Sequence, residues 1–290
     1  TDAAGNVLFS TAVSSSGEIQ VWDASYALMP NGDGLYGHSS ALQSAICPIP
    51  CHPDRYFIIH LVTGVGDLYY STVDMSLNAG LGEVVLKNIP LGTGFTEGMA
   101  VSHQLPNGCR WLFTSVRNGN TYEVVRCLIS QSGIGPPTTI ATVSTVAPAY
   151  NFNEIELSPD NARLAMSVYT TSPNEPDIAL WELALTPGTL SNPQTASVSD
   201  DPIIGLQFSP LGNYLYFVGN GNIDAMDFGR VNVATLLPEL IDANVGRYLT
   251  MTEVGGNGRI YVGMNYNYDA MAEVAFPDAS ALAAIGYDHN

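Results

Sequence analysis

Two stretches decide the fold: FNEIELSPDNARLAMSVY at residues 152–169 and IIGLQFSPLGNYLYFVGN at residues 203–220. Each consists of an apolar run, a Ser-Pro turn and a second apolar run. Proline presets φ at the second position of a turn, and Asn or Gly then completes the reversal of the chain. The pattern therefore predicts an antiparallel hairpin that occurs at least twice.

The same unit recurs elsewhere in the chain. Residues 248–265 read YLTMTEVGGNGRIYVGMN, with Val-Gly in place of Ser-Pro, and residues 98–116 read GMAVSHQLPNGCRWLFTSV. A further strand follows the hairpin and ends in an apolar residue and an acid, at Asp23, Asp74, Glu182 and Asp227. Because these acids recur at equivalent positions, we expect them to hydrogen-bond within the sheets. Four-stranded antiparallel units at intervals of about 45 to 55 residues predict an all-β protein, a single β-propeller over residues 1–290.

Six units are visible in the sequence, one partial blade and five complete ones. Their approximate ranges are 6–30 for the partial blade and 41–90, 96–146, 150–199, 202–240 and 246–288 for the others. A seventh blade would need strands shared between the two ends of the chain or strands that precede Thr1. A two-sheet sandwich also has short strands and turns, but it does not explain the repeated Ser-Pro turn or the acids at the strand ends.

The composition excludes several classes of function. The chain has 27 Asp and Glu against 9 Lys and Arg, a net charge of −18, and Lys87 is its only lysine. Binding to nucleic-acid phosphates or to an anionic membrane surface needs clustered basic residues, so neither partner is expected. No stretch approaches the ~18 consecutive apolar residues of a membrane helix, and we expect no membrane insertion.

The four cysteines allow disulfides, a metal site or buried free thiols. Cys109 and Cys127 flank a predicted hairpin. A three-residue loop at 117–119, with its glycine in the left-handed conformation, would place the two cysteines opposite each other, where a cross-strand disulfide is conceivable. Cys47 and Cys51, in CPIPC, are candidates for closing a small loop, because Cys-x3-Cys without a second close pair is a poor zinc signature. We predict the Cys109–Cys127 disulfide.

No catalytic motif or metal site stands out, and no cofactor is predicted. The histidines form no His-x-His or His-x3-His pair; they are His38, His52, His60, His103 and His289. His60, inside YFIIHLV, is interpreted as a strand histidine with satisfied hydrogen bonds. Calcium is the alternative at Asp33, in the loop NGDGLYG, and at Asp200 and Asp201, since oxygen ligands suit Ca²⁺. A tight turn and a solvated loop, respectively, are the favoured interpretations.

Aromatic and amide side chains near strand ends are candidates for recognition. They are Tyr150, Asn153, Tyr266 and Tyr268, together with Trp111. Tyrosine rings pack on sugar faces and asparagine amides hydrogen-bond to hydroxyl groups, so such loops suit glycan or protein ligands. The alternative is that these residues pack between blades.

The sequence resembles a known family. Residues 5–59, GNVLFSTAVSSSGEIQVWDASYALMPNGDGLYGHSSALQSAICPIPCHPDRYFII, and residues 67–91, DLYYSTVDMSLNAGLGEVVLKNIPL, resemble a propeller-like module of large secreted Bacteroidetes proteins. Those proteins carry PKD-like repeats and a gliding-motility-associated or type IX secretion sorting domain. The resemblance implies export and display at the cell surface, leaves further domains open, and implies no catalytic residue. The four cysteines depart from the family pattern.

Three hypotheses on function follow. The first is a non-enzymatic, extracellular propeller for recognition, adhesion or assembly, with a protein or a glycan at the cell surface as its partner. The second is a secreted polysaccharide hydrolase or lyase, for which acids would converge with His103 or Arg163 in a central funnel. The third is a self-assembling subunit of a surface filament or sheath. The absence of a catalytic motif favours the first.

Overall fold

The computed structural model describes residues 5–37, 44–146, 149–169, 176–198, 203–219, 227–242, 248–265 and 271–288. These ranges contain strands, turns and two 3₁₀ turns, Asn78–Gly80 and Leu282–Ala284, and no α-helix. None of their helical segments is long and apolar enough to cross a membrane. The chain divides into two compact units, residues 1–116 with 124–139 and residues 117–123 with 140–290. The all-β prediction is confirmed.

Two sheets lie wholly in the first unit. One is the antiparallel pair of β1 (Phe9–Val13) and β2 (Ile19–Asp23). The other runs in chain order through β3 (Ala45–Ile49), β4 (His52–Val62), β5 (Asp67–Asp74) and β6 (Glu83–Gly92). A third sheet has the order β10-β9-β8-β7, with β11 also paired to β9; its strands are β7 (Phe95–Val101), β8 (Arg110–Asn118), β9 (Thr121–Ser130), β10 (Gly133–Ile134) and β11 (Thr138–Ser144).

The second unit contains three four-stranded meanders, each in chain order. The first is β12 (Ile155–Leu157), β13 (Arg163–Ser167), β14 (Ile178–Ala184) and β15 (Thr189–Ala196). The second is β16 (Ile203–Phe208), β17 (Tyr214–Gly219), β18 (Phe228–Asn232) and β19 (Pro238–Asp242). The third is β20 (Tyr248–Val254), β21 (Ile260–Asn265), β22 (Ala272–Val274) and β23 (Tyr287–Asp288). Apolar residues from neighbouring sheets form its two core clusters.

The predicted count of six or seven blades is wrong. Five sheets in the described ranges contain four or more strands, and the partial blade at 6–30 is the two-stranded sheet of β1 and β2. The next segment follows β2 without forming a regular strand: Met29 N–H donates to Val21 (2.9 Å), and Ile19 N–H donates to Leu35 (2.9 Å). A turn that closes from Gly32 N–H to Met29 (2.8 Å) interrupts it. Turn-forming residues there prevent a continuous third strand.

The repeated turn has the predicted chemistry. In all four copies the N–H of the fourth turn residue donates to the carbonyl oxygen of the first: Asn161 to Ser158 (2.7 Å), Gly212 to Ser209 (2.8 Å), Gly258 to Gly255 (2.9 Å) and Gly108 to Leu105 (2.9 Å). The fourth residue has a φ of 54° to 84°, which only Asn and Gly adopt at low cost. In both Ser-Pro copies the serine hydroxyl also accepts the N–H that starts the second strand.

Three of the strand-end acids, Asp23, Asp74 and Glu182, hydrogen-bond within their own sheets or the turns that follow them, as predicted. Asp23 accepts hydrogen bonds from the hydroxyl and N–H of Ser25, and Asp74 accepts the same pair from Ser76. In each case the serine hydroxyl is the main cause of a lowered pKa of the carboxyl. Glu182 accepts from the Asn192 amide at 3.2 Å, and these acids are therefore structural.

The predicted disulfide between Cys109 and Cys127 is wrong, since both are free thiols. β8 ends at Asn118 and β9 begins at Thr121, so the connecting loop has two residues instead of three. Its glycine has the predicted positive φ, 60°. A two-residue loop pairs Asn118 with Thr121, and the same register puts Leu112 rather than Cys109 opposite Cys127. Cys127 is instead buried in the core.

The CPIPC segment does not close on itself either. Cys47 is buried in β3, whereas Cys51 is exposed in the following turn with a φ of 63°. Both are free thiols. Burial raises the pKa of the Cys47 thiol to about 12, so this sulfur behaves as an apolar core group.

Candidate functional site

The first strands of the three sheets in the second unit, β12, β16 and β20, are neighbours. Each carries a polar residue two positions before its turn: Glu156, Gln207 and Glu253. These positions are equivalent in the repeat, and we call them the polar row. The row was not predicted from the sequence, although aligning the repeats on Ser158, Ser209 and Gly255 places these three residues at one position.

Side chains of the first strands also bind the backbone of the next strand. A carboxylate oxygen of the buried Glu154, just before β12, accepts from the N–H of Leu206 on β16. Gln207 Oε1 accepts from the N–H of Val254 on β20 at 3.1 Å. The side chains of Glu154 and Gln207 thus accept hydrogen bonds from backbone N–H groups on the first strand of the neighbouring sheet. These hydrogen bonds fix the spacing of the row.

The surroundings of Glu156 oppose its ionisation. Burial raises its pKa well above the usual range, and the charges of Glu154 and Glu253 raise it further. Desolvation also raises the pKa of Glu253, although part of that side chain reaches solvent. A carboxyl group that keeps its proton at higher pH can donate a hydrogen bond or a proton to a ligand.

Glu156→Gln is expected to stabilise the protein at pH 8 by about 0.5–2 kcal/mol. The folded-state pKa of Glu156 lies above the ordinary value of 4.5 for a glutamate, so the folded protein loses stability as the pH rises from 4.5 through that higher pKa. Glutamine removes this loss and should leave stability at pH 4 nearly unchanged. Urea denaturation at both pH values measures the effect.

The matched control is Glu182→Gln, which neutralises an exposed carboxylate on β14. It should change the free energy of unfolding by less than about 0.5 kcal/mol. A gain from Glu156→Gln that is equal at pH 4 and pH 8 would contradict the ionisation argument.

Three partly exposed aromatic side chains cluster before β12 and after β13; we call Tyr150, Phe152 and Tyr169 the aromatic trio. The ring centroids of Tyr150 and Tyr169 are 5.1 Å apart, and those of Phe152 and Tyr169 are 6.0 Å apart. Tyr150 and Phe152 remain 38% and 39% exposed. The Tyr122 hydroxyl donates to the Tyr169 carbonyl and accepts from the Tyr150 N–H, both at 2.9 Å. The backbone that presents the trio is therefore held in place.

The other predicted recognition residues have different locations. Asn153 is buried, so its amide does not line the surface beside Tyr150. Trp111 is partly buried, and the Arg126 guanidinium lies 4.7 Å from its ring centre. Tyr266 and Tyr268 lie outside the described residues. Sequence reasoning missed Phe152 and Tyr169, which meet only through strand pairing.

The enzyme hypothesis predicted that acids converge with His103 or Arg163 in a funnel, and the structure brings together only some of these side chains. Glu154, Glu156 and Glu253 interact, but neither Arg163 nor His103 contributes to the pKa of Glu156. Arg163 lies on β13, opposite Glu182. His103 lies in the first unit, after the end of β7, and is exposed.

One calcium candidate, Asp33, lies in a loop. The Asp33 carboxylate is 3.5 Å from Lys87 Nζ, and Lys87 also donates to the Asp33 carbonyl oxygen at 3.0 Å. Asp200 and Asp201 lie outside the described residues. Within the part of the chain that is described, no group of three or more His, Cys, Asp or Glu side chains is arranged to hold a metal.

Comparison with known proteins yields similarity in structure only. No protein-family model matches the chain, and no curated protein matches it. Hydrazine synthase of Kuenenia stuttgartiensis is 11% identical, with a TM-score of 0.55 over 93% of this chain and 76% of that one. Sqt1 of Chaetomium thermophilum is 16% identical, with a TM-score of 0.51 over 92% and 66%. The Dos1 propeller is 13% identical, with a TM-score of 0.52 over 92% and 64%.

At these identities the similarity concerns the fold alone. Five antiparallel sheets of four or more strands agree with the likeness to the Dos1 propeller. The chain therefore has a β-propeller fold.

Proposed function

We propose that this protein is a non-enzymatic propeller, displayed outside the cell, that recognises a protein or a glycan in adhesion or assembly at the cell surface. The recognition role is supported by the propeller fold and the aromatic trio. The extracellular setting, with export by type IX secretion, is supported by the resemblance of residues 5–59 and 67–91 to secreted surface modules.

The aromatic trio is the observation that carries the recognition role. Apolar side chains exposed singly are ordinary, but a contiguous aromatic cluster marks a binding surface. The buried hydroxyl of Tyr122 fixes both backbone segments below it, so a ligand would meet a preorganised surface. Tyrosine and phenylalanine rings stack on sugar rings and on planar side chains.

Replacing Tyr150 and Phe152 together with serine is expected to weaken binding of the native ligand at least tenfold, because central aromatic residues carry much of the binding energy of an interface. The measurement pairs a glycan array with pull-down from the surface fraction of the source cell. A captured ligand is then titrated against the wild type and the double variant.

Phe276→Ser is the matched control, since Phe276 is a 64% exposed aromatic residue outside the trio. It should bind like the wild type. Equal binding by the wild type and the double variant would overturn the recognition site, provided that both variants show the wild-type circular dichroism spectrum.

A polysaccharide hydrolase or lyase is the second candidate, and the interacting acids Glu154, Glu156 and Glu253 favour it. Glycoside hydrolysis uses one carboxyl with a raised pKa as acid and a second as base or nucleophile. In that case Glu156→Gln would abolish the release of reducing ends from a polysaccharide. Turnover that is absent in the wild type on a broad polysaccharide panel would argue against the enzyme.

A further inference from the structure

The trio offers outward ring faces instead of a cage. Its centroids are 5.1 and 6.0 Å apart, with interplanar angles of 56° and 49°, so the rings pack on one another and leave no space between them for a ligand. A ligand group must therefore lie on an outer ring face. Such faces carry partial negative charge and attract a guanidinium or ammonium group.

The trio and the acids of β12 lie along one face of the chain. The ladder that pairs Ile155 with Met166 continues to Glu154, whose N–H donates to Ser167 Oγ and whose carbonyl accepts from the Ser167 N–H. β12 itself is Ile155–Leu157, but the same register brings Phe152 opposite Tyr169, and their ring centroids are 6.0 Å apart. In such extended backbone alternate residues share a face, which puts Phe152, Glu154 and Glu156 on one side of the segment. At strand spacing, Phe152 and Glu156 are about 13 Å apart.

The net negative charge of the second unit favours a positively charged ligand on this face. Its sequence ranges contain 18 Asp and Glu and no lysine, against 5 arginines, which is a net −13 of the total −18. Arg230 and Arg259 already pair with Glu239 and Glu273. Burial is the main cause of the raised pKa of Glu156, and the charges of Glu154 and Glu253 add to it. A cation supplied by a ligand would offset the repulsion among these carboxyl groups.

We infer that this face binds an extended segment of a partner protein through two positively charged side chains. One cation stacks on the aromatic trio, and the second lies beside Glu156 and Glu253. The inference rests on the proposed recognition function and selects a basic protein segment over a neutral glycan. Two residues four positions apart in an extended peptide match the separation of about 13 Å.

The test uses a fluorescein-labelled peptide, Gly-Arg-Gly-Ser-Gly-Arg-Gly, in fluorescence anisotropy at 50 and 150 mM NaCl. The control peptide carries citrulline, the neutral isostere of arginine, at both positions. The arginine peptide should bind at least tenfold more tightly than the citrulline peptide, and more weakly at the higher salt concentration. Glu156→Gln should weaken its binding about 3- to 10-fold, and Glu182→Gln should leave it unchanged.

The double serine variant of Tyr150 and Phe152 distinguishes binding at the aromatic trio from nonspecific electrostatic attraction, because it removes two rings and leaves the net charge of the protein unchanged. It should weaken binding of the arginine peptide about tenfold. Equal binding of both peptides, or no effect of either variant, overturns the inference. If a neutral glycan binds through the trio and the arginine peptide does not bind, the recognition function stands and the basic partner is wrong. If the double variant loses no ligand of any kind, the recognition function falls as well.

Discussion

Arg230→Ala is expected to lower the free energy of unfolding by about 2–5 kcal/mol, because it truncates a large buried side chain and removes its charge-assisted hydrogen bonds. Arg230, on β18, is fully buried. Its Nε donates to Glu239 Oε2 at 2.6 Å, and its guanidinium lies 3.8 Å from the centre of the Tyr214 ring. Alanine removes the partner of Glu239 and leaves a cavity beneath the ring.

The same guanidinium holds the loop that follows β22. It donates to the carbonyl oxygens of Ala279 at 2.7 Å and Ser280 at 3.2 Å. A second anchor lies nearby, where Asp278 accepts from Ser209 Oγ at 2.6 Å. This loop belongs to the sheet of β20–β23 and hydrogen-bonds to residues of the sheet of β16–β19. Arg230→Ala should therefore also loosen the packing between these two sheets.

Urea denaturation at pH 7 measures the loss, with Arg259→Ala as the matched control. Arg259 pairs with Glu273 at 2.5 Å, but 45% of its side chain is exposed, so its removal should cost about 0–1 kcal/mol. Arg230→Met, which keeps an apolar stem of similar volume, should fold even where the alanine variant does not. Similar losses in the free energy of unfolding from both alanine variants would show that the burial of Arg230 makes no additional contribution to stability.

Local chemistry made the repeated hairpins predictable. A turn that needs a positive φ at its fourth residue restricts that position to Asn or Gly, which marks Asn161 and Gly212 in the sequence. The acids after the third strand were predictable for the same reason, since Asp23 and Asp74 each bind a serine only two residues away. Signals confined to a few residues do not depend on how the sheets pack.

Features that depend on pairing across sheets were not predictable. The segment Asn118-Gly119-Asn120 suits a loop of two or three residues equally well, and the choice between them decides whether Cys109 faces Cys127. Tyr150 was predicted as a recognition residue, but Phe152 and Tyr169 join it only because β12 pairs with β13. The polar row likewise exists because first strands of successive sheets become neighbours.

Lowering the pH from 7 to 4 is expected to cost about 3 kcal/mol of stability through His60. The ring is fully buried on β4, which confirms the predicted strand histidine. Its Nδ1 lies 2.6 Å from the Tyr36 carbonyl oxygen, and its Nε2 lies 2.9 Å from Ser71 Oγ. A carbonyl oxygen only accepts, so Nδ1 carries the proton and Nε2 accepts from Ser71. Burial lowers the pKa of His60 to about 4.

The sign of the effect follows from proton binding. The unfolded chain takes up this proton near pH 6.5 and the folded protein only near pH 4, so the stabilisation is complete above 6.5 and disappears as the pH falls to 4. Glu156 titrates with the opposite sign, and the carboxyls of Asp23 and Asp74 act below 3.8. The wild type must therefore be compared with a variant in which only His60 has changed.

His60→Gln is that variant, because its amide can donate to Tyr36 and accept from Ser71 without titrating. In urea denaturation from pH 8 to pH 4, the wild type should lose about 3 kcal/mol more than the variant, with the difference confined to pH 4–6.5. A difference that stays constant with pH would show that His60 does not titrate on unfolding.

Asn88 also binds the loop of residues 33–37, since its Oδ1 accepts the Tyr36 N–H at 2.9 Å. Loss of the His60 contact should therefore raise the rate of amide hydrogen exchange at residues 33–37 before exchange begins in the sheet of β3–β6. The loop is held by hydrogen bonds from side chains, whereas the strands are held by the backbone hydrogen bonds of their sheet.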